Sequence, residues 1–164
     1  MTTRLITPEL EAHLEGLPGM YATTASPRCV PEVTRVLSAR VEAGCDVIRV
    51  VVATAFSERF LEFARAHARA SLVAVVVSTY RTYQFKGRVV GLEDATPDDV
   101  AAVDAYAKGF GELVKHVGID PVRYLPTIAA PPYTVLRLEV DAIFDQTPRV
   151  GAGALVSRAE ETAR

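Results

Sequence analysis

Between residues 49 and 60 the chain reads RVVVATAFSERF, a β-branched run that gives way to a helical pattern. Thr54, Ser57 and Arg59 cluster at that join, where the first N–H groups of a helix have no partner within the helix. Two hydroxyls, a guanidinium and free amides at a helix start are a set of donors suited to an oxyanion such as phosphate. A plainer reading is also open, in which Ser57 only caps the helix and Arg59 is a solvated surface charge, and Glu58 opposes the anion reading. A second group lies in TYQFKGRV, residues 82 to 89. Period-two alternation separates Thr82, Gln84, Lys86 and Arg88 from Tyr83, Phe85, Gly87 and Val89, so one face of a strand is apolar and the other is built from donors. Either the donor face holds a ligand or the strand is an ordinary half-solvated one.

The rest of the sequence must position these groups. Its 164 residues contain no Pro/Gly/Ser-rich linker, and the reading is a single domain over residues 1–164. Apolar residues make up 49% and charged residues 23%, with net charge −2, a balance that points away from disorder and from a polyanionic nucleic-acid partner. A small-molecule substrate or electron acceptor is the expected partner. No apolar run reaches the roughly 18 residues of a membrane span, and the start MTTRLITPELEAHLEGL reads as a short helix capped by Thr7 with Pro8 at its first position. Cytoplasmic location is the expectation. Cys29 and Cys45 have no histidine spaced to complete a zinc site, and His13, His67 and His116 fall on three separate helices, so no metal is expected.

Strands are expected at 19–26, 31–42, 46–56, 71–78, 82–89 and 133–144, joined mostly by short turns. Helices are expected after Ser57, over TPDDVAAVDAYAKGFGELVKHVG with Thr96 as cap, and briefly at DPVRYL. The tail GAGALVSRAEETAR reads as a frayed, solvated terminus. Strict β-α alternation is missing, which argues against a doubly wound sheet and favours a mainly β, six-stranded antiparallel Greek-key barrel with flanking helices.

The order of a strand, TAFSERFLEFARAHARASLVAVVV, a polar turn and RTYQFKGRV resembles the flavin-binding split-barrel family related to pyridoxamine 5'-phosphate oxidase. The likeness spans roughly residues 18 to 145. In that family the helix opens with SRK or a variant; here it opens SER, so Ser57 and Arg59 match the phosphate-binding serine and second basic residue while Glu58 departs from the pattern. The resemblance implies FMN, or alternatively a deazaflavin, FAD or haem, with Thr82, Gln84 and Lys86 lining the ring and ribityl side. Thr54 would join Ser57 and Arg59 at the phosphate, and Arg49 would contact the phosphate or ribityl region. It further implies a flavin-dependent oxidoreductase, or a protein that holds flavin or haem without turnover, as a homodimer with cofactor sites at the subunit interface. The lack of tryptophan and the different C-terminal segment set the chain apart from the true oxidases.

Overall fold

The computed structural model describes residues 4–121 and 130–159. In chain order the elements are α1 (Pro8–Glu15), β1 (Gly19–Ala25), β2 (Pro31–Arg35), β3 (Ser38–Val41), β4 (Val47–Ala53), a 3₁₀ turn (Thr54–Phe56), α2 (Glu58–His67), β5 (Arg69–Val75), β6 (Thr82–Asp94), α3 (Pro97–Lys115), β7 (Tyr133–Asp145) and β8 (Ala154–Arg158). The class matches the expectation, an antiparallel sheet curled into a split barrel with flanking helices. Most of the DPVRYL segment lies outside the described residues.

The sheet runs β2-β1-β5-β6-β7-β4-β3, with β8 added beside β7. Its two ends are halves of one stretch of chain. Val36 N–H donates to the Met20 carbonyl on β1 and Leu37 N–H donates to the Val51 carbonyl on β4, so the backbone changes partner between successive residues. Both side chains are buried, and burying them on the two sides of a corner bends the single strand expected at 31–42 into β2 and β3. That corner curls the sheet back on itself and brings its two end strands together.

Period-two alternation gives the wall an inner and an outer face. Ile48, Val50, Leu72, Phe85, Leu136 and Leu138 point inward. Phe60, Leu61 and Ala64 of α2 and Leu10 and Leu14 of α1 join the same core, so those two helices fill the inside of the curl. Helix α3 instead packs partly on the outside, where Val103 meets Leu37, Val51, Ala53, Tyr133 and Val135. The cap read at Thr96 is present as a full capping box with Asp99, and Thr7 caps α1 by accepting a hydrogen bond from the Leu10 amide.

Gly87 explains the glycine of the QFKG stretch. A Cβ there would sit 2.0 Å from the Glu139 carbonyl oxygen, at the register shift where β6 crosses β7 between Lys86 and Gly87. The tail departs from its expected fraying: Ala154–Arg158 forms β8 and pairs antiparallel with the end of β7, where β4 has already stopped. Alternating side chains on so short a strand gave no apolar face to detect, since Ala154, Leu155 and Val156 are all exposed.

Candidate functional site

At the start of α2 the side-chain donors are engaged with protein. The Thr54 and Thr134 hydroxyls are 2.9 Å apart. Ser57 is the N-cap residue of α2, yet its side chain makes no capping bond; its hydroxyl lies 2.6 Å from that of Thr34 on β2, and the residue is 2% exposed. The backbone reason is that Ser57 adopts φ −126°, ψ 11° rather than the extended conformation that aims a cap hydroxyl at the first helical amides. Arg59 Nε lies 3.2 Å from Glu32 Oε2, with the guanidinium over the Phe63 ring. The first turn thus presents Glu58 and an arginine already paired.

The outer face of β6 is different. Tyr83 and Phe85 enter the core, which turns Thr82, Gln84 and Lys86 outward. Thr82 is buried and donates its hydroxyl to the Tyr80 carbonyl at 2.7 Å, closing the turn from β5. Gln84 donates from Nε2 to Ser71 Oγ at 3.1 Å and accepts from Gln146 Nε2 at 2.9 Å, while Ser71 and Thr23 share a hydroxyl hydrogen bond of 2.9 Å. These contacts form one connected polar strip across β1, β5, β6 and the end of β7. Lys86 lies opposite Ser71 in the β5–β6 register, its ammonium 4.6 Å from the centre of the Phe144 ring. It has no carboxylate within ion-pairing distance among the described residues, whereas Arg69 and Arg88 on the same face pair with Asp141 and Glu139. Sequence reasoning missed Thr23, Ser71 and Gln146. The available signal was Ser71 as the single hydroxyl opening the apolar run SLVAVVV.

Arg49 stands elsewhere on the outer wall. Register places Arg40, Arg49 and Arg137 side by side on β3, β4 and β7. Three like charges in a row would repel, and three carboxylates neutralise them. Asp99, wholly buried at the start of α3, accepts from Arg49 Nε at 3.2 Å and Nη2 at 2.7 Å and from Arg40 at 2.7 Å. Glu93 binds the other amino group of Arg49 at 2.6 Å, and Glu42 accepts two bonds from Arg137. Burial opposes ionisation of Asp99, but the hydrogen bonds from Arg49, Thr96 and Arg40 outweigh it and hold the carboxyl well below its usual range.

The seven residues singled out in the sequence therefore fall into three groups. Thr82, Gln84 and Lys86 come together on the outer face; Thr54, Ser57 and Arg59 come together at the start of α2, a helix that packs on the inner face; Arg49 belongs to the charge network under α3. A shallow groove of about 300 Å³ between the end of α2 and β6 is lined by Ala64, Arg65, Ala68, Val89 and Leu92 and contains none of them. Among the described residues no group of three or more His, Cys, Asp or Glu could hold a metal ion, and no helix is long and apolar enough to cross a membrane.

No family model and no curated protein matches the sequence. Solved structures do match its fold. HupZ from Group A Streptococcus superposes with a TM-score of 0.55 at 15% identity, covering 91% of this chain and 98% of that one. A pyridoxamine 5'-phosphate oxidase-related, FMN-binding protein from Nostoc punctiforme gives 0.53 at 13% identity, covering 88% and 85%. An F420 reductase gives 0.50 at 15% identity, covering 81% and 94%. The chain has the split-barrel fold of the pyridoxamine 5'-phosphate oxidase-related FMN-binding proteins, the family its sequence resembles.

Proposed function

We propose that this chain binds a flavin, FMN or a deazaflavin, and works as a flavin-dependent oxidoreductase on a small substrate. The observation that supports it most is the strip Thr23–Ser71–Gln84–Gln146 beside Lys86, a half-buried set of hydroxyl, amide and ammonium groups with one side open to solvent. Such groups match the carbonyl, ring-nitrogen and hydroxyl pattern of a flavin ring and ribityl chain. The residues fit that part of the cofactor. They do not fit its phosphate at the start of α2, where Ser57, Thr54 and Arg59 already have protein partners and Glu58 adds a negative charge. Redox chemistry would come from the flavin; this chain's part would be to bind it, orient it and shield one face from water.

The fold of the FMN-binding and F420 reductase neighbours is consistent with this reading. A homodimer is part of it: a second copy related by a two-fold axis would cover the open side of the strip and complete the cleft. Purified protein titrated with FMN, riboflavin, deazaflavin and haemin decides the matter. Saturable quenching of flavin fluorescence and dimeric sedimentation are expected, followed by oxidation of reduced nicotinamide by the loaded protein. Flavin binding without turnover would make the chain a carrier, and binding of haemin alone would overturn the flavin reading.

A further inference from the structure

We infer that the anion-recognition point of this chain is Lys86 on the outer face, with Ser71 opposite it on β5 and Gln84 on the same face of β6, and that the start of α2 is a structural clasp. The ligand class is a small molecule bearing an oxyanion, a phosphate or a carboxylate. This deepens the proposed function, resting on its placement of the ligand on the outer face of β5 and β6.

Ion pairing separates the two places. At α2, Arg59 is held by Glu32 and followed back along the chain by Glu58, so an incoming anion meets a neutralised guanidinium beside a free carboxylate. Ser57 is 2% exposed and its hydroxyl is hydrogen-bonded with that of Thr34. An anion there could use the Arg59 Nε only by breaking an ion pair, and Ser57 only by drawing its hydroxyl away from Thr34. On the outer face Arg69 and Arg88 stand opposite each other in register and are matched by Asp141 and Glu139, whereas Lys86, two residues along β6, has no carboxylate within ion-pairing distance among the described residues. Lys86 is half-buried and has no counter-charge within ion-pairing distance among the described residues, and an oxyanion would supply one. Ser71 stands opposite Lys86 on β5, and its hydroxyl is linked to that of Thr23 one strand further on. Phe144 fixes the lysine stem by lying under its ammonium, so little rotamer freedom remains to be lost on binding.

The test uses the full chain and needs no flavin. Inorganic phosphate and, in a second arm, acetate are titrated into isotope-labelled protein at constant ionic strength, with chloride as control, and amide shifts are followed. The expected result is a saturable change at Ser71, Gln84 and Lys86 and none at Glu58, Arg59 or Phe60. Phosphate acting alone would mark a phosphate-bearing ligand, and both arms acting a general oxyanion site. Lys86→Met keeps the stem over Phe144 and should weaken binding about tenfold or more, Lys86→Arg should retain it, and Arg59→Ala should leave it unchanged. Saturable shifts at residues 58–60 that vanish in Arg59→Ala would overturn the inference, as would an unaltered response in Lys86→Met or no saturable shift anywhere. Phosphate binding at Lys86 by a protein that takes no flavin would sink the proposed function and leave this inference standing.

Discussion

At the start of α2 a threonine, a serine and an arginine meet Thr134, Thr34 and Glu32; on the outer face of β5 and β6 a serine, a glutamine and a lysine meet Thr23, Gln146 and the ring of Phe144. The side-chain chemistry of the two places is nearly the same. They differ in closure. The hydroxyls and the guanidinium of the first are engaged by other side chains and Ser57 is sealed from water, whereas the second keeps a lysine with no carboxylate within ion-pairing distance among the described residues and a connected strip facing outward. Residue type therefore announces what a region can bind, and the matching of each group within the fold decides whether that capacity is still open.

The charge network under α3 is the closed case taken furthest, and breaking it should have the largest effect. Asp99→Asn leaves Arg49 and Arg40 facing a neutral amide and should destabilise the protein by about 3 kcal/mol, the lower end of the range for removing one partner of a buried pair, because both arginines still reach solvent. Urea denaturation at pH 7 measures this. The sign with pH follows from the depressed carboxyl: the stabilisation is complete above the ordinary carboxylate range, near pH 4, and is lost as pH falls through the folded value. The gap between wild type and Asp99→Asn should therefore narrow steadily below about pH 4. A gap that stays constant down to pH 2 would show that Asp99 acts through packing and not through charge.

Next in size is Ser57→Ala. Removing one hydroxyl of a buried pair leaves Thr34 Oγ1 without its partner and should lower stability by about 1 to 2 kcal/mol. Flavin and phosphate affinity should not move. A loss of ligand affinity larger than the loss of stability would return the start of α2 to the binding site and collapse the contrast between the two regions.

The smallest effect is expected from Arg59→Ala, whose side chain is 60% exposed. Exposed ion pairs contribute about 0 to 1 kcal/mol, so both the melting temperature and ligand binding should change little. Glu32→Gln is the sharper companion, since it frees Arg59 without adding a charge. Appearance of phosphate-induced shifts at residues 58–60 in Glu32→Gln, and not in wild type, would show that the clasp itself closes the helix start.

Local signals were legible wherever one element suffices to generate them. Pro8 after Thr7, and Thr96 followed by Asp99 three residues on, fix helix starts through hydrogen bonds within a single turn. The split of TYQFKGRV into two faces needs only strand geometry, and Gln84 and Lys86 stand outside while Tyr83 and Phe85 stand inside as that pattern required. β8 escaped because its existence depends on the free edge that β7 offers once β4 ends, and nothing in ALVSR records that edge.

By itself, then, the amino-acid order determined the antiparallel class, the helix caps at Thr7 and Thr96 and the sidedness of β6, because periodicity and capping are properties of neighbours in the chain, while the cap expected at Ser57 is absent. The tertiary structure alone decided which donors are closed. Glu32 and Arg59 are 27 positions apart, Thr34 and Ser57 are 23 apart, and Arg49 finds Asp99 at a separation of 50. Pairings at such distances are set by strand register and by the corner at Val36 and Leu37, which swings β2 toward α2 and β3 toward α3. A one-residue change in that register would turn Thr34 outward, leave Ser57 without its acceptor and reopen the helix start, while Lys86 on β6 would remain as it is.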